Sequence, residues 1–121
     1  LTAIRLPFPA PALWPNKRPH WGAKLRATRT HRSAAFYATL EAKVPKPTGR
    51  VNVTLIIHPK TAHAIDADNA VSANKAHLDG IAQALGVNDS TFNSPVVRFA
   101  EPIKGGAVVI ELAPDKQEGR Q

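Results

Sequence analysis

Two hydrophobic periodicities run through the chain. In residues 51–57, Val51, Val53, Leu55 and Ile57 alternate with Asn52, Thr54 and Ile56, the two-residue repeat of a strand buried on one face. Further on the period lengthens. Val71, Leu78, Ala82 and Leu85 recur at steps of seven, four and three, which predicts a helix with one core-facing side, and Gly86 is placed to cap its C-terminus. An earlier helix is predicted over residues 28–44, with Thr28, Thr30 or Ser33 as the N-cap, an apolar line through Phe36, Leu40 and Val44, and Pro45 as the stop. Strands are predicted at residues 1–7, 95–100 and 107–112, the last two joined as a hairpin around Lys104-Gly105-Gly106. Prolines at 7, 9, 11 and 15 exclude regular structure from the segment PFPAPALWP, which reads as an extended loop.

The order strand, helix, strand, helix, strand, strand predicts an α/β (α+β) fold, a small mixed four-stranded sheet packed on two helices. A chain of 121 residues suffices for one hydrophobic core. Residues 1–114 are read as a single domain and 115–121, DKQEGRQ, as a polar tail. With helices on one face only, the other face of so small a sheet is left open, and a homodimer is expected.

Composition narrows the chemistry. Without cysteine, disulfides and thiolate metal sites are excluded. His20, His31, His58, His63 and His77 form no HExxH pattern or other tight ligand spacing, which sets zinc aside. No apolar run approaches the ~20 residues of a membrane span, and the basic N-terminal region is broken by prolines rather than followed by a signal-peptide core. A cytoplasmic protein is expected. The formal net charge is +7. All of it resides in the first 40 residues, where Arg5, Lys17, Arg18, Lys24, Arg26, Arg29 and Arg32 occur without a single acid. A one-sided basic region is the footprint of a polyanion binder, nucleic acid above all; a solvated face or a targeting tail is the alternative.

Within that region, Asn16-Lys17-Arg18-Pro19-His20-Trp21 combines an amide, two cations, an imidazole and an indole. Lys17 and Arg18 could meet phosphates while Trp21 stacks on a base; alternatively Trp14 and Trp21 are aromatics that pin the loop to the sheet, the preferred reading for Trp14. Arg29 and Arg32 fall in the first turn of the predicted helix, where the dipole favours acids, so a phosphate partner or plain solvent exposure accounts for them.

The densest chemistry lies in residues 65–90, IDADNAVSANKAHLDGIAQALGVNDS. Asp66 and Asp68 stand at the entrance of the second helix. At about 100° per residue from Val71, Lys75 falls near 40°, Asp68 near 60° and Asp79 near 80°, one flank for a lysine and two acids. Asp89 follows a short turn and joins them if the chain doubles back. Asp66, Asp68 and Asp89 as hard oxygen donors suit Mg²⁺, which takes few carboxylates and keeps several waters. Each acid is also an ordinary helix cap, and Lys75 with Asp79 could be a surface pair in the less favourable order. His58, after the strand, either assists the site or is a loop residue.

Taken together, LPFPAP after the first strand, NKRPHW, His58-Pro59 eight residues before Asp66, DADN at 66–69 and NKAHLDGIAQALGVND at 74–89 make the chain resemble the RusA family of Holliday-junction resolvases. The resemblance covers residues 6–112. It implies a dimeric Mg²⁺-dependent endodeoxyribonuclease, with Mn²⁺ as a possible substitute, acting on four-way DNA junctions in recombination and repair. It further implies that Asp66, Asp68 and Asp89 form the metal site and that Lys75 is catalytic. DNA contacts are then expected from Asn16, Lys17, Arg18, His20, Trp21, Lys24, Arg26, Arg29 and Arg32. Two departures accompany the likeness: relatives often carry paired acids followed by a basic residue where this chain has Asn88-Asp89-Ser90, and an arginine-rich loop where it reads KTAHAI. Two readings stand outside the nuclease: a non-catalytic nucleic-acid-binding module whose acids cap the second helix, and a basic scaffold for an acidic partner protein.

Overall fold

The structure, a computed structural model, describes residues 1–15, 18 and 20–116. Among the described residues, four strands, β1 (Thr2–Leu6), β2 (Val51–His58), β3 (Val96–Phe99) and β4 (Ala107–Pro114), form one mixed sheet in the order β1-β4-β2-β3. Three helices of the same residues, α1 (Trp21–Glu41), α2 (Ala67–Ala73) and α3 (Lys75–Leu85), accompany it, with short 3-10 turns at Pro11–Leu13 and Asp89–Thr91. The α+β class, the four strands and the mixed sheet are as the sequence predicts.

The two-residue repeat explains the core. Val53 lies opposite Leu112, Leu55 opposite Ile110 and Ile57 opposite Val108, while Ile4 and Leu6 of β1 face Ile110 and Val108 from the other side. All of these are buried, and they pack with Ala35 of α1, Ala70 of α2 and Leu78, Ile81 and Leu85 of α3. One sheet face is thus covered by helices. Burying one such Leu or Ile contributes roughly 1.5–3 kcal/mol.

Four details differ from the sequence-based expectation. First, α1 begins at Trp21, seven residues before the predicted start, and its cap is His20, whose Nδ1 accepts from the Gly22 amide at 3.1 Å. Thr28 lies inside the helix, its hydroxyl donating back to the Lys24 carbonyl at 2.8 Å, so it is no cap. Second, the buried side of α1 is His31, Ala35 and Thr39, whereas Leu40 is exposed. Third, the second helix is two helices, because Asn74 (φ −98°, ψ 6°) interrupts it. Fourth, β3 and β4 form no hairpin. β3 pairs parallel to β2 and β4 antiparallel to it, so β2 separates them. The connecting residues follow the end of β2: the Ala100 amide donates to the Ile57 carbonyl and the Ile103 amide to the Pro59 carbonyl, before Gly105 and Gly106, both at positive φ, turn the chain into β4.

The helices meet closely at Gly80. A Cβ there would stand 2.2 Å from the Arg32 carbonyl oxygen, so glycine is what allows α3 to approach α1. Beyond α3, Gly86 (φ 69°) supplies the expected left-handed cap, with the Val87 amide donating to the Ala82 carbonyl.

Candidate functional site

Asp66 is the N-cap of α2. Its Oδ1 accepts from the Asp68 amide at 2.8 Å and the Asn69 amide at 3.2 Å, satisfying two of the free donors of the first turn. Asp68 lies within that turn and is exposed, as is Asp66. Beyond the break at Asn74, Lys75 opens α3 and its ammonium bridges two carboxylates, Asp79 Oδ1 at 2.8 Å and Asp89 Oδ2 at 3.1 Å. The chain therefore does double back after α3. Asn88 caps the 3-10 turn carrying Asp89, its Oδ1 accepting from the Ser90 amide at 2.9 Å. The next segment is tied to β2: Asn93 donates from its backbone to the Val51 carbonyl and from its side chain to Asn52 and Asp115, and accepts from Arg50.

Of the expected site, the structure brings together Lys75, Asp79 and Asp89. Asp66 and Asp68 precede the break at Asn74, at the N-terminus of α2. Among the described residues, no three His, Asp or Glu side chains are grouped closely enough to hold a metal ion. Lys75 does not belong to an apolar stripe either; its side chain is 63% exposed. The hydrogen bond to Asp79, then that to Asp89, raises its pKa above the ordinary lysine value. His58 is committed elsewhere, its Nδ1 donating to the Glu101 carbonyl at 2.9 Å.

Lys75 and Asp79 line a cavity of about 470 Å³ whose other walls include Leu13, Trp14 and Pro15 of the proline loop and Lys24 and Thr28 of α1. The basic N-terminal region and the acidic segment thus face one groove. Trp14 is a half-buried anchor, as preferred from sequence: it stacks on Phe8 with centroids 5.4 Å apart and its Nε1 donates to the Pro9 carbonyl. Trp21 is the opposite case, 74% exposed beside His20. Arg18, His20, Lys24, Arg26, Arg29 and Arg32 are exposed too. Asn16 and Lys17 lie outside the described residues. On the α1 helix, positions 21, 25, 29, 32, 36 and 40 fall within about 100° of arc. That stripe mixes the exposed Trp21, Leu25 and Leu40 and the half-buried Phe36 with the exposed Arg29 and Arg32.

One group of residues has no counterpart in the site expected from sequence, where His31 and His77 figure only in setting zinc aside. The Ala10 amide donates to His31 Nε2 at 3.1 Å, His31 Nδ1 meets His77 Nε2 at 2.9 Å, His77 Nδ1 meets Asn74 Oδ1 at 2.8 Å, and Asn74 Nδ2 donates to the Ala70 carbonyl at 2.8 Å. His31, His77 and Asn74 are all buried. Burial lowers the pKa of His31, and burial followed by repulsion from His31 lowers that of His77 to about 3. The only sequence signal was placement: Asn74 and His77 occupy inward positions of a segment whose other inward residues are apolar.

No helix among the described residues is long and apolar enough to cross a membrane. No family model matches the chain. It is similar to an uncharacterized protein of Xylella fastidiosa strain Temecula1, with 32% identity over 117 residues that cover 93% of this chain and 76% of the relative. Identity at that level across nearly the whole chain means that this protein belongs to the same family as that bacterial protein.

Proposed function

We propose that the protein is a Mg²⁺-dependent endodeoxyribonuclease of the RusA type, cutting four-way and related branched DNA by phosphodiester hydrolysis. The observation that carries this reading is the position of Lys75. Its ammonium stands between Asp79 and Asp89 on the wall of a groove whose opposite wall comes from the acid-free N-terminal region. A phosphate entering that groove meets Lys24 on one side and Lys75 on the other. In this role Lys75 neutralises charge developing on the phosphate, and Asp79 holds its ammonium in place.

The donor chemistry of Asp66, Asp68 and Asp89 fits a hard divalent ion, Mg²⁺ or Mn²⁺, since all three are exposed carboxylates. Mg²⁺ commonly binds through one or two carboxylates and completes its shell with water and substrate phosphates, so a closed cage of three is not required. Asp68 and Asp66 would hold the ion, with Asp89 released from Lys75 to join them. Bound there, the ion supplies an activated water and charge stabilisation. Arg18, Arg26, Arg29 and Arg32 grip the DNA backbone by charge, and Trp21 offers a stacking face. The exposed Leu25, Tyr37 and Leu40 of α1 suit a homodimer, which presents two sites to the two strands of a junction.

A second reading is favoured by the Asp66 geometry: with Oδ1 engaged by two amides, the acid acts as a helix cap and the protein binds nucleic acid without cutting it. A synthetic four-way junction separates the two. The nuclease reading expects nicking with Mg²⁺, none with EDTA, and a loss of at least about 100-fold in Asp68→Asn with junction affinity retained. Junction binding without metal-dependent nicking leaves the second reading standing alone.

A further inference from the structure

Two imidazoles are buried in the fold, and no step of the proposed chemistry uses them. Their protonation follows from one end of the hydrogen-bond chain. A backbone amide can only donate, so His31 Nε2, which accepts from Ala10, carries no proton. A neutral imidazole has one N–H, which must then be on Nδ1 and must point at His77 Nε2. His77 Nε2 is therefore bare as well, and its own N–H lies on Nδ1, directed at Asn74 Oδ1. The Asn74 amide nitrogen completes the series at the Ala70 carbonyl. Every proton in the relay is assigned by the Ala10 amide, and charging either ring would set two N–H groups against one another or against a donor.

The relay runs between elements that wall the groove. Ala10 leads into the loop of Leu13, Trp14 and Pro15 that forms one wall; Asn74 is the residue before Lys75 on the other wall, at the helix break that sets the direction of α3. We propose that His31, His77 and Asn74 are positioning residues for Lys75, a buried relay that holds the proline loop and the start of α3 in one register and so fixes the ammonium between Asp79 and Asp89. As a contribution to catalysis this rests on the nuclease reading; as an account of where Lys75 stands it does not.

The first test needs no variant. Long-range ¹H–¹⁵N spectra of the labelled protein at pH 7 should show Nδ1 protonated and Nε2 bare in both His31 and His77. An Nε2–H tautomer or a charged ring at either residue overturns the relay. The second test is His31→Gln, which keeps an acceptor for the Ala10 amide and removes the Nδ1–H link. The crystal structure of the variant should then show Lys75 Nζ drawn away from Asp89 Oδ2, and Mg²⁺-dependent turnover of a four-way junction should fall about 10- to 100-fold with Kd unchanged. A folded variant whose Lys75 keeps its place beside Asp89 overturns the positioning role, as does a loss of affinity that accounts for the whole loss of turnover. Should His31→Gln not fold, Asn74→Ser decides between the same outcomes from the other end. Absence of nicking in the parent protein removes the nuclease reading alone, because the tautomers and the Lys75–Asp89 contact still decide the relay.

Discussion

His77 and Lys75 begin the same helix two residues apart, yet the hydrogen bonds they make belong to different physical regimes. The His31–His77–Asn74 series is neutral and buried, with bonds of 2.8–3.1 Å from Ala10 to Ala70 and no buried side-chain polar atom left unpartnered among the described residues. Leaving one of its members unpaired costs about 1–3 kcal/mol, because a buried polar group is shielded from the solvent that would otherwise pair with it. The Lys75–Asp79–Asp89 group has bonds of similar length but is charged and largely solvated, with side-chain exposures of 63%, 34% and 53%. Such pairs contribute less than about 1 kcal/mol and exchange easily. Rigidity is therefore lodged in the neutral, buried half of the helix start, and availability to a ligand in the charged, exposed half.

The strongest way to break this contrast is to separate the helices. Gly80→Ala would place a Cβ 2.2 Å from the Arg32 carbonyl oxygen and force α3 away from α1. We expect a loss of about 3 kcal/mol in urea unfolding, and loss of the His31–His77 bond while the Lys75–Asp79 pair, internal to α3, survives. A smaller effect is expected from acid. The folded-state pKa values of both histidines are depressed, that of His77 to about 3, so the unfolded chain takes up protons first. Their contribution to stability is fully present above the ordinary histidine value of about 6.5 and declines as pH falls from there toward 3, by up to about 1.4 kcal/mol per pH unit for each proton. Urea midpoints measured between pH 7 and pH 4 check this, and a flat profile in that window would contradict a buried neutral pair.

The smallest expected change sharpens the other side of the comparison. Lys75→Met should alter stability by less than about 1 kcal/mol, a difference that 0.5 M salt should largely remove. The Lys75 pKa is raised, so its stabilising contribution is present below the ordinary lysine range and is lost only as pH rises through the raised value. Loss of junction nicking in a Lys75→Met protein of parental stability would place the residue in chemistry rather than folding. A large loss of stability would mean that the exposed ion group bears structure after all.

Parts of this arrangement are legible in the residues alone. The alternation at Val51–Ile57 marks β2, and its buried and outward residues fall as the pattern says. Gly86 marks the end of α3, and the acid-free stretch through Leu40 marks the exposed cations of α1. The start of α1 is not legible in this way, because Thr28 resembles a cap, whereas threonine inside a helix can return its hydroxyl to the preceding turn. His20, a less usual cap, does the work instead. The path from β3 to β4 is hidden for a different reason. A Gly-Gly turn between two apolar runs shows where the chain bends but not which strand it bends toward, and the seven residues 100–106 are enough to pass the end of β2.

For residues 65–90 the division is sharper. Local sequence determined that carboxylates stand at a helix entrance, that Lys75 pairs with Asp79 four residues on, and that the helix stops at Gly86; each depends on neighbours within a turn or two of the chain. Only the tertiary structure decided that Asp89 returns to Lys75, that Asn74 interrupts the helix between Asp68 and Lys75, and that His31 reaches His77 across 46 residues. A side-chain hydrogen bond between distant segments leaves no periodic trace, because its direction is set by how closely two helices pack. Here a single missing Cβ, at Gly80, sets that distance.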